Sequence, residues 1–471
     1  MTSRTSQQPV RYPAPLREVF DAFARDGREA YLIGPRAREL ASGIPIDDAT
    51  SFDLTVDASM SFLEEFGRRL FGVAPQAPKE ERSRLWTFKV PRGPVTLTFN
   101  IGPFRNYLPP LRSLRGHRLS GILLDLATRE VTIQAFGYDA SGDLVDPFGG
   151  TADFAEGLIR PVFPVETLFR ESASWLLKVA RYVARYGMDA AREVRQAADR
   201  DAAGILDVPR EIWRKEMEKV LCGAWPAKGL QFLHDTRVLA LVLPEVSALT
   251  WLRETGEDLH KDVWAHTKQV VTNADPVPVV RWAALCHDIG KVWTRQITGT
   301  KVHFFRHEDM GAMLWDAIGA RFEFPPEDHR RIHYIIQNHS RVNLYRDDWT
   351  DSAVRRLIRE VGDSLDDLIA FSRADLTSKR AERVEMIQGL LVDLQRRIQD
   401  IREQDARESP LPKGIGNLIM ERFGIPAGPE VGRLRDLLLH AIESGQLATP
   451  VNPEQCLDFL VPHLADGEPE E

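Results

Sequence analysis

The stretch Val279-Val280-Arg281-Trp282-Ala283-Ala284-Leu285-Cys286-His287-Asp288-Ile289-Gly290-Lys291 is the most informative in the chain. An apolar run ends in an adjacent imidazole and carboxylate. Upstream, His266 sits in a second helical segment, Val263-Trp264-Ala265-His266-Thr267. Downstream come His307 in Phe305-Arg306-His307-Glu308, His339 in Gln337-Asn338-His339 and Asp375 in Arg373-Ala374-Asp375-Leu376. Neutral imidazoles and carboxylates bind divalent cations, and several of them delivered from separate helices can hold one or two ions while leaving a position for water. Residues 260–380 are therefore predicted to form a metal-dependent hydrolytic site.

Working outward, 471 residues allow three or four domains at about 100–150 residues each. Hydrophobic residues are 43% and charged residues 28%, an ordinary globular balance. No run reaches the roughly 18–20 apolar residues that cross a bilayer, so no membrane role is expected. The segment Met1–Pro9 lacks the apolar core of a signal peptide, and residues 1–27 read as a flexible arm. Cys222, Cys286 and Cys456 are far apart with apolar neighbours, which suits unbridged thiols in a reducing cytoplasm. A net charge of −8 does not announce a nucleic-acid binder, but the charge is unevenly spread. Arg82 to Leu124 holds no acidic residue. Arg84, Lys89, Arg105, Arg112, Arg115 and Arg118 fall there, with Trp86, Phe104 and Tyr107 interleaved. That pattern can neutralise phosphates and stack a base, giving a candidate RNA-binding stretch; an exposed basic loop without a ligand is the alternative.

Residues 28–160 mix strand-like runs with turns. Ala30–Ile33 leads into Gly34-Pro35. Phe52–Val56, Pro94–Phe99 and Val131–Phe136 read as further strands, and Asp146-Pro147-Phe148-Gly149-Gly150 as a strong turn. Beyond residue 160 the periodicity is helical to the end, with Arg181 and Arg185 an i,i+4 step apart. The expected fold class is α+β: a mixed-sheet head at 28–160, a helical neck at 161–240, a helical domain at 241–395 and a C-terminal helical segment at 396–471 with an acidic, disordered tail.

The order of these motifs resembles the bacterial tRNA nucleotidyltransferase / poly(A) polymerase family (CCA-adding-enzyme-like) with a C-terminal HD phosphohydrolase-type domain, from about residue 28 to 460. Tyr31-Leu32-Ile33-Gly34-Pro35-Arg36-Ala37-Arg38 stands where the family has a strand and a Gly-Gly-x-Val-Arg-Asp turn. Ser51-Phe52-Asp53-Leu54-Thr55-Val56-Asp57-Ala58 resembles its Asp-x-Asp element, and Asp125–Ala135, containing Arg129, its Asp-Leu-x-x-Arg-Asp element. Leu144–Gly150 is similar throughout, and Glu171–Trp175 stands in the neck motif. The departures bear on chemistry. Nucleotidyl transfer needs carboxylates for two divalent ions. Here Ser51 replaces the first carboxylate, Asp53 remains, and a third carboxylate position falls near Thr98. Pro35 removes a backbone donor from the phosphate-cradling turn. Ser172 and Trp175 replace the Asp and Arg that read the incoming base. Gly34, Arg38, Ser51, Asp53 and Arg129 thus mark a vestigial site.

The HD resemblance implies His266, His287, Asp288 and Asp375 as metal ligands, with Mg, Mn, Ni, Co or Zn not distinguishable. Lys291, His307 and His339 join His287 and Asp288 as candidate catalytic residues that orient phosphate. His260, His303, His329 and His333 read as packing or capping residues. The leading expectation is an HD-type phosphohydrolase acting on nucleotides or RNA 3′ ends, with a tRNA-like 3′ end or a nucleotide as partner. The alternatives are addition of CMP or AMP to RNA 3′ ends, and non-catalytic RNA binding.

Overall fold

The computed structural model describes residues 10–76, 85–105, 121–254, 261–298, 301–377, 381–408, 411–447 and 452–465. The fold is mixed α+β. Its one large sheet has strands β1 (Ala30–Ile33), β2 (Ser51–Val56), β3 (Trp86–Arg92), β4 (Val95–Pro103), β5 (Gly137–Asp139) and β6 (Leu144–Val145), in the order β3-β4-β2-β1-β5-β6. β2 and β4 run parallel and the other neighbours antiparallel. In β2, Phe52 and Leu54 are buried while Ser51 and Asp53 are half-exposed, the period-two alternation of a strand with one covered face. Phe23, Leu32, Phe52, Leu54, Phe66, Phe88 and Phe99 form the core beneath it.

Two expectations change here. The arm read over 1–27 is, from Ala14, a helix (Ala14–Arg25) that buries Leu16, Val19, Phe20 and Phe23 in the head core. Its apolar residues recur at three- and four-residue spacing, which fixes it to the sheet. The strand read over Val131–Phe136 is a short 3₁₀ turn at Thr132–Gln134. Thr132 Oγ1 donates to buried Asp153 Oδ2 at 2.6 Å, so this apolar segment is pinned to a helix-bearing loop rather than paired in the sheet. The Asp146 turn behaves as read: its carboxylate accepts from the backbone N–H of Gly150 (2.7 Å) and Thr151 (2.9 Å), opening helix Gly150–Glu156.

Helices follow from Val165 on, interrupted by short strands that the helical reading does not include: Asp189–Ala190, the pair Arg253–Glu254 with Lys261–Asp262, and the pair Arg295–Thr298 with Lys301–Phe304. The chain forms two compact units, residues 1–342 with 366–379, and 343–365 with 380–471. In the second, Arg397 pairs with Asp351 (2.5 Å) and Arg355 with Asp405 (3.1 Å) between helices Asp351–Val361 and Ala381–Glu408. Leu411, Ile415, Ile419, Leu434, Leu438, Cys456 and Leu460 make that unit's own core. Helix Asp351–Val361 therefore leaves the segment 241–395 and joins the C-terminal helices. Among the described residues no helix is long and apolar enough to cross a membrane.

Candidate metal centre and head pocket

Each metal-centre imidazole is fixed by its helix. Asp262 accepts from the N–H of Ala265 at 3.0 Å and opens helix Val263–Asn273, which carries His266. His287 ends helix Pro278–Cys286, whose residues Val279 to Cys286 are all buried. His307 opens helix His307–Arg321 after Arg306 in the left-handed region (φ 59°), and His339 ends helix Pro326–Asn338. Asp375 follows helix Leu365–Ala374. His287 Nδ1 donates to the carbonyl of Ala284 (2.9 Å), His307 Nδ1 to that of Phe304 (3.0 Å) and His339 Nδ1 to that of Ile336 (2.7 Å). Carbonyls only accept, so in a neutral ring the proton sits on Nδ1 and Nε2 presents a lone pair inward. His266 Nδ1 lies 2.9 Å from Thr377 Oγ1, which can play the same part.

The inward nitrogens meet in pairs. His266 Nε2 and His287 Nε2 are 3.3 Å apart, as are His307 Nε2 and His339 Nε2. His266 Nε2 is 3.2 Å from Asp375 Oδ1. Asp288 joins the two pairs: Oδ2 lies 3.1 Å from His287 Nε2 and 3.6 Å from His266 Nε2, and Oδ1 lies 3.7 Å from His307 Nε2. Two groups able to hold an ion result, His266–His287–Asp375 and Asp288–His307–His339. Among the described residues these are the only groups of three or more His, Cys, Asp or Glu so gathered. Facing lone pairs repel unless positive charge lies between them, and the buried carboxylate of Asp288 stands among the same nitrogens. These residues fit a divalent cation.

Electrostatics point the same way. Burial, which raises a carboxyl pKa, is outweighed at Asp288 by His287 and Lys291, which hold it well below the ordinary value. Burial lowers His287, but Asp288 and Asp375 lift it above the usual imidazole value. A proton on His287 and a cation beside it answer the same demand for positive charge. His339 is pushed down to about 4 by burial and by His287, so it is neutral near pH 7, the ligand form. Lys291 Nζ is 3.0 Å from Asp288 Oδ2.

The other histidines do structural work. His329 stacks on Trp315, His333 Nδ1 is 2.8 Å from Asp316 Oδ1, and His303 stacks on Phe305; His260 lies outside the described residues.

Four of the five head residues singled out from the sequence, Gly34, Arg38, Asp53 and Arg129, line a cavity of about 700 Å³ in the first unit, together with Glu130, Gln134, Arg185 and Tyr186 among others. Ser51 is not in the lining and pairs with Thr98 across the sheet. The residue opposite Asp53 is Asn100, which the sequence reading misses by two positions. Gly34 has φ 73° and lies so close that a Cβ would stand 2.8 Å from Asp53 Oδ2. Arg129 pairs with buried Asp125 (2.7 Å). The neck pair stays out: Trp175 is buried and Ser172 ends helix Val165–Glu171. Arg185 and Tyr186, at the far end of the helix that Trp175 opens (Trp175–Tyr186), line the cavity instead; the i,i+4 arginines Arg181 and Arg185 are the available signal. Of the candidate RNA-binding residues, Arg105 lines the cavity and its N–H donates to Asp125 (2.9 Å), while Lys89 is exposed on β3 and outside the lining. Arg84, Arg112, Arg115 and Arg118 lie outside the described residues.

The HD domain family matches residues 256–378, a span that contains all six residues of the two ligand groups. The chain is 34% identical over 266 residues to a "Multifunctional CCA protein" of Laribacter hongkongensis, covering 53% of this chain and 63% of that one. It is 28% identical over 340 residues to the "A-adding tRNA nucleotidyltransferase" of Deinococcus radiodurans, covering 69% and 76%. The chain thus spans less than two thirds of the Laribacter relative. The Bacillus stearothermophilus CCA-adding enzyme solved with CTP has the same fold, with a TM-score of 0.52 at 20% identity over 96% of this chain and 98% of that one. Fold and site define an HD-domain protein with a nucleotidyltransferase-type head. The chain carries an HD domain over residues 256–378 and is similar in sequence to CCA-adding and A-adding tRNA nucleotidyltransferase proteins.

Proposed function

We propose that this chain is a metal-dependent phosphohydrolase working through its HD centre on nucleotide or RNA 3′-end phosphates, built on a tRNA nucleotidyltransferase scaffold. The observation that supports it most is the pair of ligand groups joined by Asp288, against a head that keeps one carboxylate of its metal set. His266, His287, Asp288 and Asp375 would hold the ion, with His307 and His339 beside it. A divalent ion there supplies a coordinated water of lowered pKa and polarises a phosphoryl oxygen. Lys291, a fixed positive charge next to Asp288, stabilises negative charge gathering on the phosphoryl group. The buried walls of helix Pro278–Cys286 exclude bulk water behind the site. The test is hydrolysis of 2′,3′-cyclic phosphates and phosphomonoesters across divalent metals. Activity that survives unchanged in His287→Ala and in Asp288→Ala overturns the reading. The free thiols of Cys222, Cys286 and Cys456 support a reducing, cytoplasmic setting.

A second reading, nucleotidyl transfer, is supported by the similarity to the A-adding tRNA nucleotidyltransferase of Deinococcus radiodurans and by the arginine-lined 700 Å³ cavity. It predicts incorporation of labelled CTP or ATP into a tRNA lacking its terminal nucleotides, and loss of that signal in Asp53→Ala.

A further inference from the structure

The head cavity lacks what a magnesium pair needs. Asp53 is the one carboxylate there free of a basic clamp, because Glu130 is held by Lys178, Arg181 and Tyr182. Asp53 is itself engaged: Asn100 Nδ2 donates to its Oδ1 at 2.8 Å. The ionised Asp53 carboxylate only accepts, so it draws the N–H₂ toward itself, and Thr87 Oγ1 donates to the remaining Asn100 Oδ1 at 2.9 Å. A cation at Asp53 would meet an amide donor on one side. On the other it meets Arg38, close enough for the two charges to interact. The residues present do not fit a divalent ion.

What the cavity does hold is unpaired positive charge. The guanidiniums of Arg38 and Arg185 line it without a side-chain hydrogen bond or close ion pair to the described residues, although Arg38 feels the more distant charges of Asp53 and Glu39. Both guanidiniums stand against the ring of Tyr186, at 5.3 and 5.4 Å from its centroid. They repel each other, and Arg38 is lowered from its ordinary pKa by burial first and by Arg185 as well. The Tyr186 hydroxyl accepts from Gln134 Nε2 at 2.7 Å, which fixes the ring and the two cations stacked on it. Ile33, Leu54 and Phe104 give the same cavity apolar walls. Two fixed forks that match phosphate oxygens, in a space within the roughly 300–1,000 Å³ typical of small-molecule sites, make a receptor for a phosphate-bearing nucleotide.

We propose that the head binds nucleotide phosphates without a divalent cation, as a receptor rather than a transfer site. The ligand is a nucleotide carrying terminal phosphate, whether free as a nucleoside triphosphate or as the phosphorylated end of an RNA.

The experiment uses the full chain with His287→Ala, so that hydrolysis at the HD centre does not remove the ligand. Its outcome is therefore independent of the phosphohydrolase reading. Calorimetric titration with CTP, and with a short RNA ending in a 3′-phosphate, is run in EDTA and in excess magnesium. The expected result is binding of at least one probe with dissociation constants that agree within about threefold between the two conditions. Adding Arg38→Met and Arg185→Met weakens it at least about tenfold in both, as loss of two charge-assisted contacts requires. The exposed Arg185→Ala alone weakens it in the same direction and guards against misfolding of the double variant. The tighter probe identifies the source of the phosphate. Binding that appears only with magnesium, no binding of either probe, or unchanged affinity in both arginine variants overturns the proposal.

Discussion

Asn100 Nδ2 lies 2.8 Å from Asp53 Oδ1, across two neighbouring parallel strands and at the same register. A donor stands where a second acid would make a cation cage. Asn100→Asp should create that cage. With no ion present, two carboxylates this close repel, and the melting temperature should fall by about 3–8 °C in EDTA. Manganese should restore it. In a His287→Ala background, the Asn100→Asp chain should bind one more manganese ion than its parent. Equal manganese binding in the two would show that Asn100 is not what keeps cations out of the head.

The HD centre makes the opposite prediction for chelation. A cation bound to the folded centre stabilises it by mass action, by about 3–4 kcal/mol when free metal exceeds its dissociation constant several-hundredfold. Dialysis of the wild-type chain against EDTA should lower its melting temperature by several degrees, and metal analysis of the dialysed sample should show the loss. His266→Ala and Asp375→Ala should each abolish the EDTA effect, because both line the first ligand group. An unchanged melting temperature in wild type would argue that the imidazole pairs meet around protons.

Gly290 marks a backbone-to-backbone approach. A Cβ there would overlap the carbonyl oxygen of His307 and stand 2.6 Å from the N–H of Gly311, so the His287-Asp288 turn rests directly on helix His307–Arg321. Gly290→Ala should cost roughly 3 kcal/mol or more and lower bound metal, because it pushes His307 away from Asp288. Gly389→Ala is the contrast. That residue lies in helix Ala381–Glu408 with nothing within 4 Å of its Cβ position, and the change should stabilise by about 0.5–1 kcal/mol. Urea unfolding of both variants measures the difference.

The legible parts of this molecule are those where one residue type does one local job. The alternation of Phe52–Val56 names a strand, and the Asp146 turn names a helix start. The ligand-bearing segments of the second half are legible as an ordered set, since a single histidine packs or caps as readily as it ligates, as His329 and His333 do. Asn100 escapes notice because its role depends on β4 lying parallel to β2 with Asp53 opposite, a register that no local pattern states. Val131–Phe136 misleads because buried apolar residues look alike in a strand and in a 3₁₀ turn; the Thr132–Asp153 bond decides, and its partner is 21 residues away. Helix Ala14–Arg25 is hidden behind a polar terminus, although Leu16, Val19, Phe20 and Phe23 already have helical spacing.

Glu130 ties the head to the neck through Lys178 Nζ at 2.7 Å, Arg181 and the Tyr182 hydroxyl. Burial pushes its carboxyl up, but Arg181 and Lys178 outweigh that and bring it from 4.5 to about 2. A depressed acid stabilises the fold in full above its unfolded value and loses that contribution as pH falls through the folded one. The contribution at neutral pH is on the order of 3 kcal/mol, because a tenfold change in proton affinity corresponds to about 1.4 kcal/mol. Glu130→Gln should therefore be less stable than wild type by a gap that is constant from pH 8 to pH 5. Below 4.5 the gap should narrow by about 1.4 kcal/mol for each further drop of one in pH, as far down as the chain stays folded. Urea unfolding followed by tryptophan fluorescence at half-unit pH steps reads this directly. No gap at pH 7, or a gap that stays flat between pH 4.5 and 3, would mean that the head–neck clamp does not depend on the charge of Glu130.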